Sequence, residues 1–228
     1  MFRIQSAMRS THSAEPFLPE DRTLPVLREA VQACRGCDLY RNATQAVFGE
    51  IEAKGKSTAR KTAAVMMIGE QPGDREDIEG HPFVGPAGKL LDDALEEAGI
   101  DRTKVYVTNA VKHFKWEPRG KRRIHEKPNM QEVNACRPWL DAEIDAVGPR
   151  LIVCLGATAA QALLGSNFRV TQQRGVLLRK EGLPALVATV HPSSILRARS
   201  SEDRHREMSL FVADLRRIER YLEELKAA

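Results

Sequence analysis

No window of about 18 consecutive apolar residues occurs in the 228-residue chain, so no segment reads as a membrane span. The opening stretch MFRIQSAMRSTHSAEPFLPEDR lacks the continuous apolar region of a secretion signal, and a cytoplasmic or nucleoid-associated protein is expected. There is no phosphate-binding P-loop and no G-x-G-x-x-G fingerprint, which leaves nucleotide binding with little support. No internal repeat stands out. The length suits one α/β domain with a substantial core and would cramp two. Cysteine is sparse, with four residues, and without a secretion signal a disulfide framework is the weaker reading.

Those cysteines, Cys34, Cys37, Cys136 and Cys154, read C-x2-C, a long gap, then C-x17-C. Four thiols with none left over suit a tetrathiolate site for zinc or a [4Fe–4S] cluster. The second pair is not C-x2-C, so the pattern is not a zinc ribbon. Cys154 also lies within the apolar run LIVCLG, where a lone buried thiol is common, and both readings stand at this point.

The net charge of +4 is concentrated. Residues 112–128, KHFKWEPRGKRRIHEKP, carry seven Lys and Arg against two Glu, leaving the remaining residues at −1. A near-neutral body with one basic loop that also holds Phe114 and Trp116 suits a polyanion, the alternative being a solvated charge run.

Residues 1–22 show no periodicity and are expected as a loose tail before a single domain, 23–228, into which the basic loop 112–128 is inserted. LPVLREAVQAC (24–34) has helical spacing, and residues 50–63 read as an exposed loop. Apolar β-branched runs then alternate with helical patterns. AAVMMIGE (63–70), KVYVTNAV (104–111), RLIVCLGA (150–157) and ALVATVHP (185–192) read as strands, with VLLRK (176–180) beside the last. GPAGKLLDDALEEAGI (85–100), residues 129–148 with a break or kink near Pro138, TAAQALLG and the C-terminal 202–226 read as helices. Strands without polar alternation, separated by helices, predict a three-layer α/β/α fold around a central, mainly parallel four-stranded sheet.

In such sheets ligands bind beyond the C-terminal ends of the strands. That rule selects GEQPGD (69–74), Asn109, LGATAA and HPSS (191–194). Glu70 suits an acid, a base or a cation stabiliser, or is a turn glutamate. Gly69 and Gly73 allow close backbone approach to a ligand. Phe83 could stack on a base or anchor the core. Asn109 could read a base edge or cap a strand. His191 precedes a proline at a short helix start, with Ser193 in its first turn, and could meet a phosphate or be structural.

Taken together, GEQPGDREDIEGHPFVGPAGKLLD, TNAVKH, the cysteine spacing and HPSSILR resemble the uracil-DNA glycosylase superfamily over roughly residues 25–220. The nearest part is similar to family 4, the iron–sulfur glycosylases. That resemblance implies a structural [4Fe–4S] cluster on Cys34, Cys37, Cys136 and Cys154, and uracil-containing DNA as partner, single strands favoured, bound by a monomer. Two departures matter. Gln71 stands where family 4 has alanine, and the inserted loop ends in KRRIH (121–125). Both are similar to the UdgX subgroup, whose members capture uracil-containing DNA covalently.

By position, Phe83 is then expected to stack on the flipped uracil and Asn109 to read its polar edge. His191 stabilises the departing anion, while Glu70 stabilises the sugar cation or orients His125. Gln71, Gly73, Asp74 and Ser193 organise the substrate pocket. Arg123 holds the loop, Lys121 and Arg122 meet phosphates, and His125 is the nucleophile. The expected protein is a single-turnover trap, the alternative a multiple-turnover glycosylase that releases free uracil.

Overall fold

The computed structural model describes residues 12–51 and 63–227. The strands are β1 (Glu50–Ile51), β2 (Val65–Gly69), β3 (Val105–Asn109), β4 (Trp116–Arg119), β5 (Arg122–His125), β6 (Leu151–Leu155), β7 (Leu177–Leu178) and β8 (Ala185–Thr189). The helices are α1 (Leu24–Ala30), α2 (Asp74–Glu79), α3 (Pro86–Ala98), α4 (Met130–Val147), α5 (Ala157–Leu164), α6 (Val170–Gln173), α7 (Pro192–Leu196) and α8 (Ser201–Ala227).

The central sheet has six strands in the order β1-β3-β2-β6-β8-β7, where four were expected. Four of them, β3-β2-β6-β8, are parallel neighbours, and the two-residue strands β1 and β7 add antiparallel edges. Two residues are too few to carry a hydrophobic period, so the edges leave little trace in the sequence. Residues 52–62 of the expected loop 50–63 lie outside the described residues.

Every residue of β2, β3, β6 and β8 is buried. The strand alternation divides these residues between two cores. Val65, Met67, Val107, Leu151, Val153 and Val187 face α3 and α8, meeting Leu91, Leu95, Phe211, Leu215 and Ile218. Met66, Ile68, Ile152, Cys154, Leu186 and Ala188 face the opposite layer with Leu140, Ile144, Ala160 and Leu163. Burial on both faces is why these strands read as continuous apolar runs.

Helix α4 opens on a reciprocal capping box between Asn129 and Glu132 and closes on Gly148 in the left-handed region. It runs as one helix through Pro138, near which a break or kink was expected, so the break does not occur. Trp139 and Leu140, both fully buried, hold the turn that follows the proline against the body of the protein. A buried ion pair fixes α4 to β3. Lys112 Nζ pairs with Glu143 and donates to the Asn109 carbonyl at 2.7 Å, while Glu143 also accepts from Tyr106, Thr108 and the Gly49 amide.

Of the expected N-terminal tail, residues 1–11 lie outside the described residues. Ala14 is buried, and its amide donates to the Ala135 carbonyl at 2.7 Å. No helix among the described residues is long and apolar enough to cross a membrane.

Candidate active site

The chain leaves β2 for β3 on one side and returns to β6 on the other, so the strand order reverses at β2. A parallel sheet opens a crevice at that reversal, beyond the C-terminal strand ends. Glu70 follows β2, Asn109 ends β3, Thr158 lies in the first turn of α5 after β6, and His191 follows β8.

Gly69 forms the floor. A Cβ there would lie 2.3 Å from Asn109 Oδ1 and 2.9 Å from Phe83 Cζ, so only glycine lets the amide and the ring come this close. Asn109 is buried, and no hydrogen bond to its side-chain amide is formed among the described residues. Phe83 is the one non-glycine residue with positive φ, at 58°, among those described. Its carbonyl presses on Gly88, where a Cβ would stand 1.6 Å away. Strain of this kind, about 1–3 kcal/mol, concentrates at ligand sites. The Phe83 ring stacks beside His191, with centroids 6.0 Å apart and planes 27° from parallel.

His191 caps α7. Its Nδ1 accepts the Ser193 amide N–H at 3.1 Å and meets Ser193 Oγ at 2.9 Å. An amide can only donate, so Nδ1 is bare and Nε2 carries the proton. Burial, helped by the positive charge of Arg197, lowers the His191 pKa to about 4, so the ring is neutral at pH 7. Ser193 therefore positions His191.

Glu70 is gripped from one side and open on the other. Oε2 accepts the Thr158 hydroxyl, and Oε1 lies 3.5 Å from His125 Nε2. Thr158 was not anticipated, since a threonine at a helix start carries no signal beyond its neighbourhood.

The basic segment is not a loop. β4 and β5 form an antiparallel hairpin with Arg119 opposite Arg122 and Trp116 opposite His125. Its two-residue turn is Gly120-Lys121, with Gly120 at φ 60°, and glycine first is the chemistry of a type II′ turn. Gln71 clips the base. Its Nε2 donates to the carbonyls of Lys115 (3.1 Å) and Glu126 (3.0 Å), and its Oε1 accepts the Lys115 amide at 3.0 Å. Gln71 thus serves the hairpin and has no free donor for a substrate.

Arg123 ties the same hairpin to α2. It donates to Asp74 Oδ1 and to the fully buried Asp77 Oδ2, both at 2.6 Å. Its guanidinium lies 5.5 Å from the Phe114 ring centre and 5.6 Å from that of Trp116. Asp74 is therefore a partner of Arg123, and Gly73 is the N-cap that starts α2. Phe114 is fully buried, so these aromatics form the hairpin's own core, where a nucleic-acid contact was envisaged.

Three of the seven basic residues are used internally, Lys112 with Glu143, Lys115 with Glu126 and Glu132, and Arg123 with Asp74 and Asp77. Arg119, Lys121, Arg122 and Lys127 are exposed, and none forms an ion pair among the described residues. His125, half exposed, ends β5 with its ring 6.1 Å from that of Phe114.

The thiols divide. Cys34, Cys37 and Cys136 share one buried cluster, while Cys154 sits within the sheet core below α5. Burial pushes both Cys136 and Cys154 up to about 12. Among the described residues no group of three or more His, Cys, Asp or Glu side chains is arranged to hold a metal ion. Three of the four expected cysteines lie in one buried cluster of side chains and the fourth in another, so the arrangement does not present the expected four-thiol set.

Residues 56–216 match the model of the uracil DNA glycosylase superfamily. The chain belongs to that superfamily. Among its curated relatives, a type-4 uracil-DNA glycosylase from Thermotoga maritima is 37% identical over 183 residues, spanning 80% of this chain and 88% of that protein. One from Sulfurisphaera tokodaii is 37% identical over 182 residues, 76% of each. A type-5 uracil-DNA glycosylase from Pyrobaculum aerophilum is 33% identical over 99 residues, 42% of this chain and 40% of that one. The strand ends at the sheet reversal form the candidate reaction site, and the hairpin stands beside them, with His125 Nε2 3.5 Å from Glu70 Oε1.

Proposed function

We propose that this protein excises uracil from DNA, single strands favoured, and then remains joined to the abasic sugar through His125. The observation that carries this reading is an imidazole held at the pocket mouth, its Nε2 3.5 Å from Glu70. That separation is beyond a good hydrogen bond, so it requires no proton on Nε2.

Reaching C1′ requires drawing the nucleotide out of its stack, which costs least in single strands. Phe83 receives the base face, and the unpaired Asn109 amide reads its polar edge. The C1′–N1 bond breaks with both electrons going to uracil, and His191 donates its Nε2 proton as a hydrogen bond to the departing anion. The sugar becomes an oxocarbenium-like cation beside the Glu70 carboxylate, which the Thr158 hydroxyl keeps aimed.

His125 Nε2 then attacks C1′ with its lone pair. The imidazolium so formed releases its Nδ1 proton to water, leaving a neutral N-linked sugar. Reversal would have to expel an imidazole anion, a far poorer leaving group than the carboxylate of an ester, so the adduct persists. Water attacking in place of His125 would give ordinary turnover. The thiol cluster would hold the [4Fe–4S] group that the type-4 resemblance implies, as a structural element apart from the bond chemistry.

Mixing the protein with a uracil oligonucleotide and running a denaturing gel tests this. A retarded protein–DNA band is expected with uracil, and none with thymine or with His125→Ala. The same band from His125→Ala would overturn the assignment.

A further inference from the structure

Helix α8 carries a charge where its pattern calls for an apolar residue. Phe211, Leu215 and Ile218 line its core-facing side, and Asp214 stands among them at 2% exposure. A carboxylate taken out of water is costly unless donors surround it, and an apolar side chain would cover the sheet without that cost. We propose that Asp214 and its partner Thr189 are positioning residues for uracil excision, holding the strand end that delivers His191. This role rests on the excision reading and not on capture by His125.

Three donors surround Asp214. Its Oδ2 accepts the Thr189 hydroxyl at 2.6 Å and Arg174 Nε at 2.8 Å, and its Oδ1 lies 3.3 Å from Arg217 Nη1. Gly175 makes the space, with φ at 71° and a would-be Cβ only 2.6 Å from Asp214 Oδ1. The Gly175 amide donates to the Ala188 carbonyl at 2.9 Å, which docks Arg174 and Gly175 on β8.

Thr189 is the last residue of β8, two before His191, and is fully buried. Its side chain goes to α8, and its carbonyl accepts the Gly156 amide at 2.8 Å. Gly156 lies two residues before Thr158, whose hydroxyl holds Glu70. A Cβ at Gly156 would stand 3.1 Å from the Cβ of His191. Thr189 is therefore the point where the Glu70 side of the pocket, the His191 side and α8 meet.

The same helix reaches past His191. Arg204 Nη2 donates to the Leu196 carbonyl, at the end of α7, at 3.3 Å. With both flanks of His191 fastened to one helix, its Nε2 proton stays aimed at the departing anion with no rearrangement as the bond breaks. Thr189 and Asp214 are sealed in the core and act only through His191.

The test uses the full chain and single-turnover release of uracil from a single-stranded oligonucleotide, with urea unfolding alongside. Thr189→Val keeps the side chain's shape and leaves Asp214 bound to Arg174. It should lower the release rate roughly 10- to 100-fold while binding to a uracil-free strand is unchanged. Thr189→Ala should show the same loss, and Thr189→Ser should restore the rate. Asp214→Asn keeps an oxygen for the Thr189 hydroxyl, so its rate should stay close to wild type although the lost charge lowers stability more than Thr189→Val does. In a His191→Gln background, Thr189→Val should cost no more than about twofold further, because the residue it acts through is gone. An unchanged rate in Thr189→Val and Thr189→Ala, a full independent loss in the His191→Gln background, or rates that follow stability across the variants would overturn the role. A wild-type chain that releases no uracil would remove the excision reading itself, and this role with it.

Discussion

The pocket works because single atoms are missing or already engaged. Gly69 has no Cβ where Asn109 and Phe83 must meet, and the ends of those side chains can swing away without disturbing the sheet. Gly69→Ala is therefore expected to lower uracil excision about 10²-fold through misplacement of the base-reading groups, with an unchanged fold. Single-turnover rates beside far-UV circular dichroism check this. His191 makes a second residue-scale prediction. Its folded pKa of about 4 lies below the ordinary histidine value, so the unfolded chain binds the proton first as pH falls. Its contribution to stability is full above about pH 6.5 and is lost down to about pH 4, on the order of 3 kcal/mol. Urea titrations at both ends should show that loss in the wild type and a smaller one in His191→Gln. The sequence placed Glu70, Asn109 and His191 correctly at strand ends, because the end-of-strand rule depends only on locating apolar runs. Thr158 and Asp77 escaped it. Each matters through what it faces, and nothing in its own neighbourhood announces that.

At the scale of elements, the proposed mechanism makes the hairpin decide the chemistry, and Gln71 holds the hairpin. Glu70 and Gln71 are chain neighbours, one facing His125 and the other holding the residue after it. The carboxylate and the proposed nucleophile are thereby fixed in one frame. Gln71→Ala would leave two carbonyls and an amide at the hairpin base without their partner. That amounts to about 1–3 kcal/mol, or roughly 10- to 100-fold in the rate of adduct formation. Uracil cleavage should fall less than adduct formation, measured as released base against retarded protein in one time course. The hairpin was hard to read because its strands are polar on both faces and show no alternation; its one local sign was the glycine-first turn. α4 was legible as a helix, but its continuity through Pro138 was not. Pro138 breaks a helix by local rules, and buried packing overrode them.

Across the whole molecule, the parallel order of four strands was legible because burial on both faces writes itself as unbroken apolar runs. The basic excess was legible too, but its use was not. Lys112 ties α4 to β3, Lys115 and Arg123 hold the hairpin, and the other four cations are exposed. Replacing both Lys121 and Arg122 by alanine should weaken binding to any single strand and lower the salt slope by about 1.4, since each phosphate contact contributes about 0.7. Uracil specificity should be untouched, because phosphates position the strand and the pocket reads the base. Fluorescence anisotropy over a salt series measures both. The central claim, that this superfamily pocket has been converted to stop after one event, is tested most directly by counting uracil. With uracil oligonucleotide in large excess, release should plateau at one uracil per protein chain, with the abasic nucleotide recovered on the peptide containing His125. Release that continues past one equivalent, with that peptide unmodified, would contradict it.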